Sequence, residues 1–483
     1  MAIHTPDWVK DAVFYQIFPD RFARSNHVTK PTNLEPWDAP PTVRGFKGGD
    51  FLGMKERLDY LVDLGITAVY FNPIFQSAAN HRYHTHDYYR VDPLLGGNAA
   101  FREFLEAAHR RGIRVMLDGV FNHASRGFLQ FNHIMENGRQ SPYLDWFIVY
   151  DFPLRAFHVH EAPNYAAWWN NRELPKLNTD NPQVRDFVYD VAEYWLEQGI
   201  DGWRLDVPLE IKTPGFWEGF RDRVKAVNPD AYILGEIWGD AREWLQGDHF
   251  DATMNYGFNR ACYGFFGDTW LDTSVRPGGY TLQRLDAEAF EREIGHLLSL
   301  YDWEVTVAQY NLLSSHDEPR YLTMVRGDVR RLRLATLFQM TFPGPPSIYY
   351  GDEIGMEGGP DPDCRRAFRW DERRWHQELR NDFKRFIALR KAHSALRRGT
   401  YQTLTAKDRT YAFARADEHE VVIVVLNAGA NAADVELDLA GLVSSHGVLQ
   451  LSWSQDEVPV TDGRCSVRVP SLDGRVLIHQ LPE

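Results

Sequence analysis

The chain has 483 residues, 44% hydrophobic and 25% charged, which suits one large domain plus a smaller one and excludes disordered, collagen-like and disulfide-stapled classes. Its 53 Lys and Arg against 67 Asp and Glu leave a net charge of −14, a balance that repels phosphate backbones and anionic lipid surfaces, so neither nucleic acid nor a membrane is expected as a partner. Cys262, Cys364 and Cys465 lie far apart without CxxC spacing, no basic-then-apolar leader opens the chain and no apolar run is of bilayer length, so a cytoplasmic protein with free thiols is expected.

In chain order, short apolar runs recur at Phe14 to Phe18, Ile66 to Asn72, Ile113 to Val120, Ile200 to Asp206, Tyr232 to Trp238, Ala252 to Tyr256, Asn311 to Asp317 and Ser347 to Tyr350. Segments of helical period separate them, which is the pattern of a parallel sheet wrapped in helices. Eight runs predict an α/β fold, a closed (β/α)₈ TIM barrel. Asp50 to Leu64 reads as a helix with Leu58, Leu61 and Val62 inward and Gly65 as its stop. A second helix opens at Asn181-Pro182 with Asp180 as its expected cap and Val184, Val188, Val191, Ala192 and Trp195 inward. Ala124 to Lys176 is too long and too aromatic for an ordinary loop and predicts a subdomain inserted after strand 3. After Arg398-Gly399 the pattern changes to alternating strands such as Thr410 to Arg415 and Val421 to Leu426. The expected organisation is a barrel over 1–123 and 177–398, an inserted domain over 124–176 and a C-terminal antiparallel β-sandwich over 399–483.

Active sites of such barrels lie at the C-terminal ends of the strands. The third run ends in Asp118-Gly119-Val120-Phe121-Asn122-His123, the fourth in Gly202-Trp203-Arg204-Leu205-Asp206, the fifth in Gly235-Glu236-Ile237-Trp238 and the seventh in Ser315-His316-Asp317. Any one of these could be a strand-end salt bridge; together they place three carboxylates in one mouth, as glycoside hydrolysis requires. Arg204 and Asp206 are two apart on one strand and share a face, so the guanidinium is expected to keep Asp206 ionised as the nucleophile. Glu236, flanked by apolar Ile237 and Trp238, is expected to hold its proton as the acid.

These four segments, in this order, resemble the signature regions of the α-amylase family, glycoside hydrolase family 13. Tyr15 to Phe22 is similar to that family's first strand, Gly344 to Glu353 to its eighth, and Leu174-Pro175-Lys176-Leu177-Asn178 to a region typical of its neopullulanase, cyclomaltodextrinase and maltogenic amylase subgroup. The resemblance implies a retaining α-glucosidic hydrolase acting on maltooligosaccharides, cyclodextrins or pullulan. Asp206 is then the nucleophile, Glu236 the acid/base and Asp317 the third carboxylate, with His81, Tyr83, His123, Arg204, Glu210, Trp238, His316 and Arg320 contacting substrate. Asp118 and Asn122 read as supports.

Some positions depart from the subgroup's pattern. Leu209 replaces an Asn, His84 stands where an Asp is usual, and Glu318 follows His316-Asp317 in place of a Thr. A transglycosidase or sugar isomerase on the same triad, and a non-catalytic carbohydrate-binding scaffold, are the alternatives. The subgroup's N-terminal β domain has no counterpart in the sequence, so a monomer, or a dimer not formed through that domain, is expected. No cofactor is expected. Members of the family bind calcium near the inserted domain or in the loop after the first strand, and here Arg24 replaces an Asp of the loop site, a cation where an anion is needed, while Asn26 and Gly48-Gly49-Asp50 resemble its other ligands.

Overall fold

The strands of the barrel are short and β-branched or aromatic at alternate positions, so each offers one apolar set to the barrel interior and another to the surrounding helices. The structure, a computed structural model, describes residues 3–158 and 160–481. Its eight parallel strands are β1 (Phe14–Ile17), β2 (Ala68–Phe71), β3 (Arg114–Gly119), β4 (Gly202–Leu205), β5 (Tyr232–Gly235), β6 (Ala252–Thr253), β7 (Asn311–Leu312) and β8 (Pro346–Tyr349). They pair in the order β6-β5-β4-β3-β2-β1-β8-β7, and a parallel bridge from Met254 to Tyr310 joins the two ends and closes the barrel.

Alternation sorts the side chains. Phe14, Ala68, Tyr70, Met116, Tyr232, Leu234, Ala252, Met254, Tyr310 and Leu312 form one buried cluster inside the barrel. Tyr15, Ile17, Val69, Phe71, Val115, Leu117, Trp203, Leu205 and Ile233 belong to a second cluster, shared with the helices.

The helix expected from Asp50 to Leu64 forms as two pieces, Phe51–Glu56 and Leu58–Leu64, with the Asp50 carboxylate capping Gly53 N–H and Gly65 ending it at φ 99°. Val62 is 45% exposed, so the inward face is Leu58 and Leu61 without it. The helix Pro182–Glu197 is capped by Asn181, which accepts from Gln183 N–H, and not by Asp180. Asp180 instead accepts from the Thr213 hydroxyl at 2.6 Å. Val184, Val188, Val191, Ala192 and Trp195 are buried as the period requires.

Between β3 and that helix the chain builds a layer with one helix of three turns or less, Leu129–Asn137, and isolated antiparallel bridges, among them His123 with Lys176 and Val149 with Tyr165. Its centre is aromatic, with Phe131 packed edge-on at 4.9 Å against both Phe147 and Tyr165.

Past the barrel, β9 (Gln402–Lys407), β10 (Thr410–Ala416), β11 (Glu420–Asn427), β12 (Ala433–Asp438), β13 (Gly447–Leu451), β14 (Glu457–Val460), β15 (Arg464–Val469) and β16 (Asp473–Gln480) are antiparallel. They form a six-stranded sheet, β9-β10-β11-β16-β13-β14, and the pair β12-β15. Ala412, Ile423 and Val425 of the larger sheet share an apolar core with Leu437 and Val467 of the smaller. Arg415, wholly buried, ties this unit to the barrel by donating to the carbonyls of Thr341, Leu396, Gly399 and Thr400 at 2.8 to 3.0 Å. Among the described residues no helix is long and apolar enough to cross a membrane.

Candidate active site

The inward register that fills the barrel continues past the strand ends, where the residue types change from apolar to ionisable. Met116 is followed two residues on by Asp118, Gly202 by Arg204 and then Asp206, and Leu234 by Glu236. Period-two alternation thus delivers these groups to one mouth.

Arg204 organises it. Its Nη1 donates to Asp118 at 2.9 and 3.0 Å and to Asp206 Oδ1 at 3.0 Å. Its Nη2 lies 2.9 Å from Glu236 Oε1, yet finds no aligned acceptor. Arg204 therefore holds Asp206 by an aligned charged hydrogen bond, whereas it reaches Glu236 by proximity of charge alone. Glu236 Oε2 accepts from Val207 N–H at 3.1 Å, and Oε1 accepts from the Trp238 indole at 3.3 Å. Val207 reaches this position at φ 37°, a left-handed conformation that is strained for a β-branched residue and often marks functional turns.

The seventh strand supplies the other half. The Gln16 amide donates to His316 Nδ1 at 2.9 Å, which leaves the ring proton on Nε2. That nitrogen faces Asp317 Oδ2 at 3.0 Å and the Tyr83 hydroxyl at 2.7 Å. Tyr83 and Tyr70 donate to Asp118 Oδ2 at 2.9 and 2.6 Å. Asp118 spends its lone pairs on Arg204 and two tyrosines, as befits a support.

Four carboxyls thus share few cations. Burial pushes the Glu236 carboxyl up, against Arg204 and with help from Asp317. Burial also lifts Asp206 well above the aspartate range, opposed by Arg204 and reinforced by Glu236, Asp118 and Asp317. From the sequence Arg204 is expected to keep Asp206 ionised; the guanidinium does oppose the shift, but burial, which the motif does not carry, outweighs it. For Asp317 burial is overcome, and His316 and Arg365 hold it well below the usual range.

The remaining expected residues divide. His123 is 1% exposed with Nδ1 on Asn122 at 3.0 Å, and its Nε2 is buried without a partner. Burial keeps it neutral, pushed down to about 3. His81 accepts from Tyr83 N–H and stands edge-on to His84 at 4.9 Å, both rings held neutral by burial. Trp238 stacks on Tyr256 at 3.6 Å beside Glu236. Glu210 sits at the exposed rim and pairs with Lys176 of the inserted layer at 3.1 Å.

Arg320 is not brought into the mouth. It is wholly buried, donates to Asp352 at 2.8 Å and to the carbonyls of Tyr350 and Cys364, and stacks on Tyr349. Its place three residues past Asp317 suggested a substrate contact, but the chain turns at His316-Asp317 and Arg320 lies buried in the packing beside the eighth strand.

The sequence reading missed Arg365. From a short turn after β8 it donates to the His316 carbonyl at 2.8 Å and to Asp317 Oδ1 at 3.3 Å, and pairs with Asp361 at 3.0 Å. Its only sequence signal is a basic pair, Arg365-Arg366, in the loop after the eighth run. Gln16 and Asn72 were also unmarked, being inward positions with amide side chains.

The chain is similar to known proteins over nearly its whole length. The model of the α-amylase catalytic domain matches residues 16–398 and that of the neopullulanase-like C-terminal domain residues 401–471. A cyclomaltodextrinase from Geobacillus thermopakistaniensis (strain MAS1) is 45% identical over 90% of this chain and 71% of its own length. The crystal structure of Ttha1563 from Thermus thermophilus superposes with a TM-score of 0.94 at 48% identity, covering 98% of this chain and all of the other. That of a debranching enzyme from Nostoc punctiforme, soaked with acarbose, gives 0.89 at 48% identity over 99% of this chain and all of the other. With a catalytic-domain match over most of its length and relatives at this level of identity, the chain belongs to the α-amylase family.

Proposed function

We propose that this glycosidase hydrolyses α-1,4 or α-1,6 glucosidic bonds of short or cyclic maltodextrins with retention of configuration, Asp206 acting as nucleophile and Glu236 as acid/base. The observation that carries the reading is the position of Arg204, whose two terminal nitrogens reach Asp206 at 3.0 Å and Glu236 at 2.9 Å. One guanidinium serving both carboxyls brings them close together, in keeping with the roughly 5 to 5.5 Å separation of retaining enzymes.

Asp206 attacks the anomeric carbon as Glu236 gives its proton to the departing glycosidic oxygen. The resulting glycosyl ester is opened by water, which returns a proton to Glu236. The Arg204 hydrogen bond favours the anionic form of Asp206, and its absence at Glu236 makes the neutral form cheap there. Asp317 and His316 hold ring hydroxyls, and His123 offers a free nitrogen to a third. The names of two relatives, a cyclomaltodextrinase and a debranching enzyme, support cyclic maltodextrins and α-1,6 branches as substrate classes.

The test is the product formed from maltotriose, β-cyclodextrin, pullulan, starch and sucrose, with the first anomer followed by NMR. Release of α-anomeric maltose or glucose from maltotriose, of linear maltooligosaccharides from β-cyclodextrin, and of panose or maltotriose from pullulan supports the reading. An initial β-anomer refutes retention, and a profile dominated by longer or isomerised sugars refutes hydrolysis as the main reaction.

A further inference from the structure

The family resemblance implies a calcium site in the loop between β1 and the helix at Phe51, but the side chains there do not suit a divalent ion. Arg24, expected from sequence to intrude on the ligands, points away; its guanidinium lies 5.6 Å from the Trp37 ring centroid. The cation that faces Asp50 inside the loop is Lys30. Its ammonium lies 3.1 Å from Asp50 Oδ2 and donates to the Leu94 carbonyl at 2.6 Å, and its side chain is only 12% exposed.

Asp50 is buried and already saturated. Oδ1 accepts from the Ser25 hydroxyl at 2.9 Å and Gly53 N–H at 2.8 Å, and Oδ2 accepts from Ser25 N–H at 2.9 Å in addition to facing Lys30. A carboxylate has about four lone-pair positions, and all are taken. The nearby buried Asp20 accepts from Lys47 N–H at 2.8 Å and Gly48 N–H at 3.0 Å and pairs with Arg21 at 3.1 Å. Calcium takes about six to eight oxygen ligands, with more than one free carboxylate, and among the described residues no group of three or more His, Cys, Asp and Glu is placed to hold a metal.

We propose that the Lys30 ammonium is a built-in cation that takes the structural place of calcium, clamping the loop through Asp50 and the turn at Leu94. The chain thereby exchanges a dissociable ion, which needs external supply, for a covalently tethered one. Loop order and, with it, the barrel mouth are then indifferent to chelators. Removing the ammonium leaves a buried carboxylate facing no cation, which is strongly unfavourable.

Hydrogen exchange over residues 24–50, together with thermal unfolding, tests this in the full chain with EDTA or calcium chloride as the only variable. Wild-type protection and melting temperature stay the same in both. Lys30→Met lowers protection of this loop at least about tenfold in both, and Lys30→Arg restores much of it. The idea is overturned if wild-type loop protection falls on chelation, or if Lys30→Met is as protected as wild type. Should Lys30→Met fail to fold, the wild-type comparison alone still decides.

Discussion

Arg204 Nη1 donates to Asp206 Oδ1 at 3.0 Å in a contact sealed from solvent, the guanidinium being fully buried and the carboxylate nearly so. The same guanidinium nears Glu236 without an aligned hydrogen bond. This asymmetry assigns different work to two carboxyls that burial treats alike.

Isosteric loss of charge at the three carboxyls removes chemistry and leaves volume. Asp206→Asn, Glu236→Gln and Asp317→Asn are expected to lower kcat/KM on maltotriose by about 10³-fold or more with circular dichroism unchanged. Activity near wild type in purified Asp206→Asn would end the proposed mechanism.

The acid must be protonated to work, and burial raises the Glu236 pKa above its ordinary range. The kcat/KM profile should therefore fall on its alkaline side as pH climbs through that raised value, and on its acid side as the nucleophile protonates. On an aryl maltoside whose leaving group needs no proton, Glu236→Gln should lose the alkaline limb and retain more of its first-step rate than on maltotriose. An unchanged alkaline limb in that variant would assign the proton donor elsewhere.

Glu318, 1% exposed beside Asp317, has an oxygen without a hydrogen-bond partner, and burial, helped by Asp317, pushes it from 4.5 up to about 8. A carboxyl raised on folding contributes stability that is full below its unfolded pKa and is lost as pH rises toward the folded value. Relative to Glu318→Gln, wild type should thus lose stability between pH 5 and pH 8 in urea unfolding. A parallel pH dependence in the two proteins would show that Glu318 does not titrate in this window.

Trp168 stacks on His123 at 5.3 Å and Trp169 on Trp168 at 4.6 Å, and Trp169 is 82% exposed. This wall of the inserted layer is expected to favour short or cyclic maltodextrins over starch. Trp169→Ala should shrink the ratio of rates on β-cyclodextrin and amylose, chiefly through KM. Equal rates per bond on amylose and maltotriose in wild type would remove the wall from the account of specificity.

Arg320 neutralises Asp352 inside the packing. Arg320→Met should lower stability by about 3 to 5 kcal/mol, the cost of stranding a buried charge, with KM for maltotriose little changed in the folded enzyme. A large KM effect without loss of stability would return Arg320 to the cleft.

The amino-acid sequence by itself determined the eight barrel strands, because buried parallel strands write themselves as short apolar runs between helical periods. It also determined the strand-end residues Asp118, Arg204, Asp206 and Glu236, because period-two alternation carries the inward register straight into the mouth, while His316 and Asp317, adjacent in a turn past the seventh strand, were legible only through the motif they form. Contacts between residues distant in sequence carry no such local signature. Only the tertiary structure joined Arg365 to Asp317 across the turn after β8, drew Arg320 down onto Asp352, and set Lys30 against Asp50. It also decided that burial lifts Asp206 as well as Glu236, since desolvation depends on what surrounds a carboxyl in space, and a motif names only its neighbours along the chain.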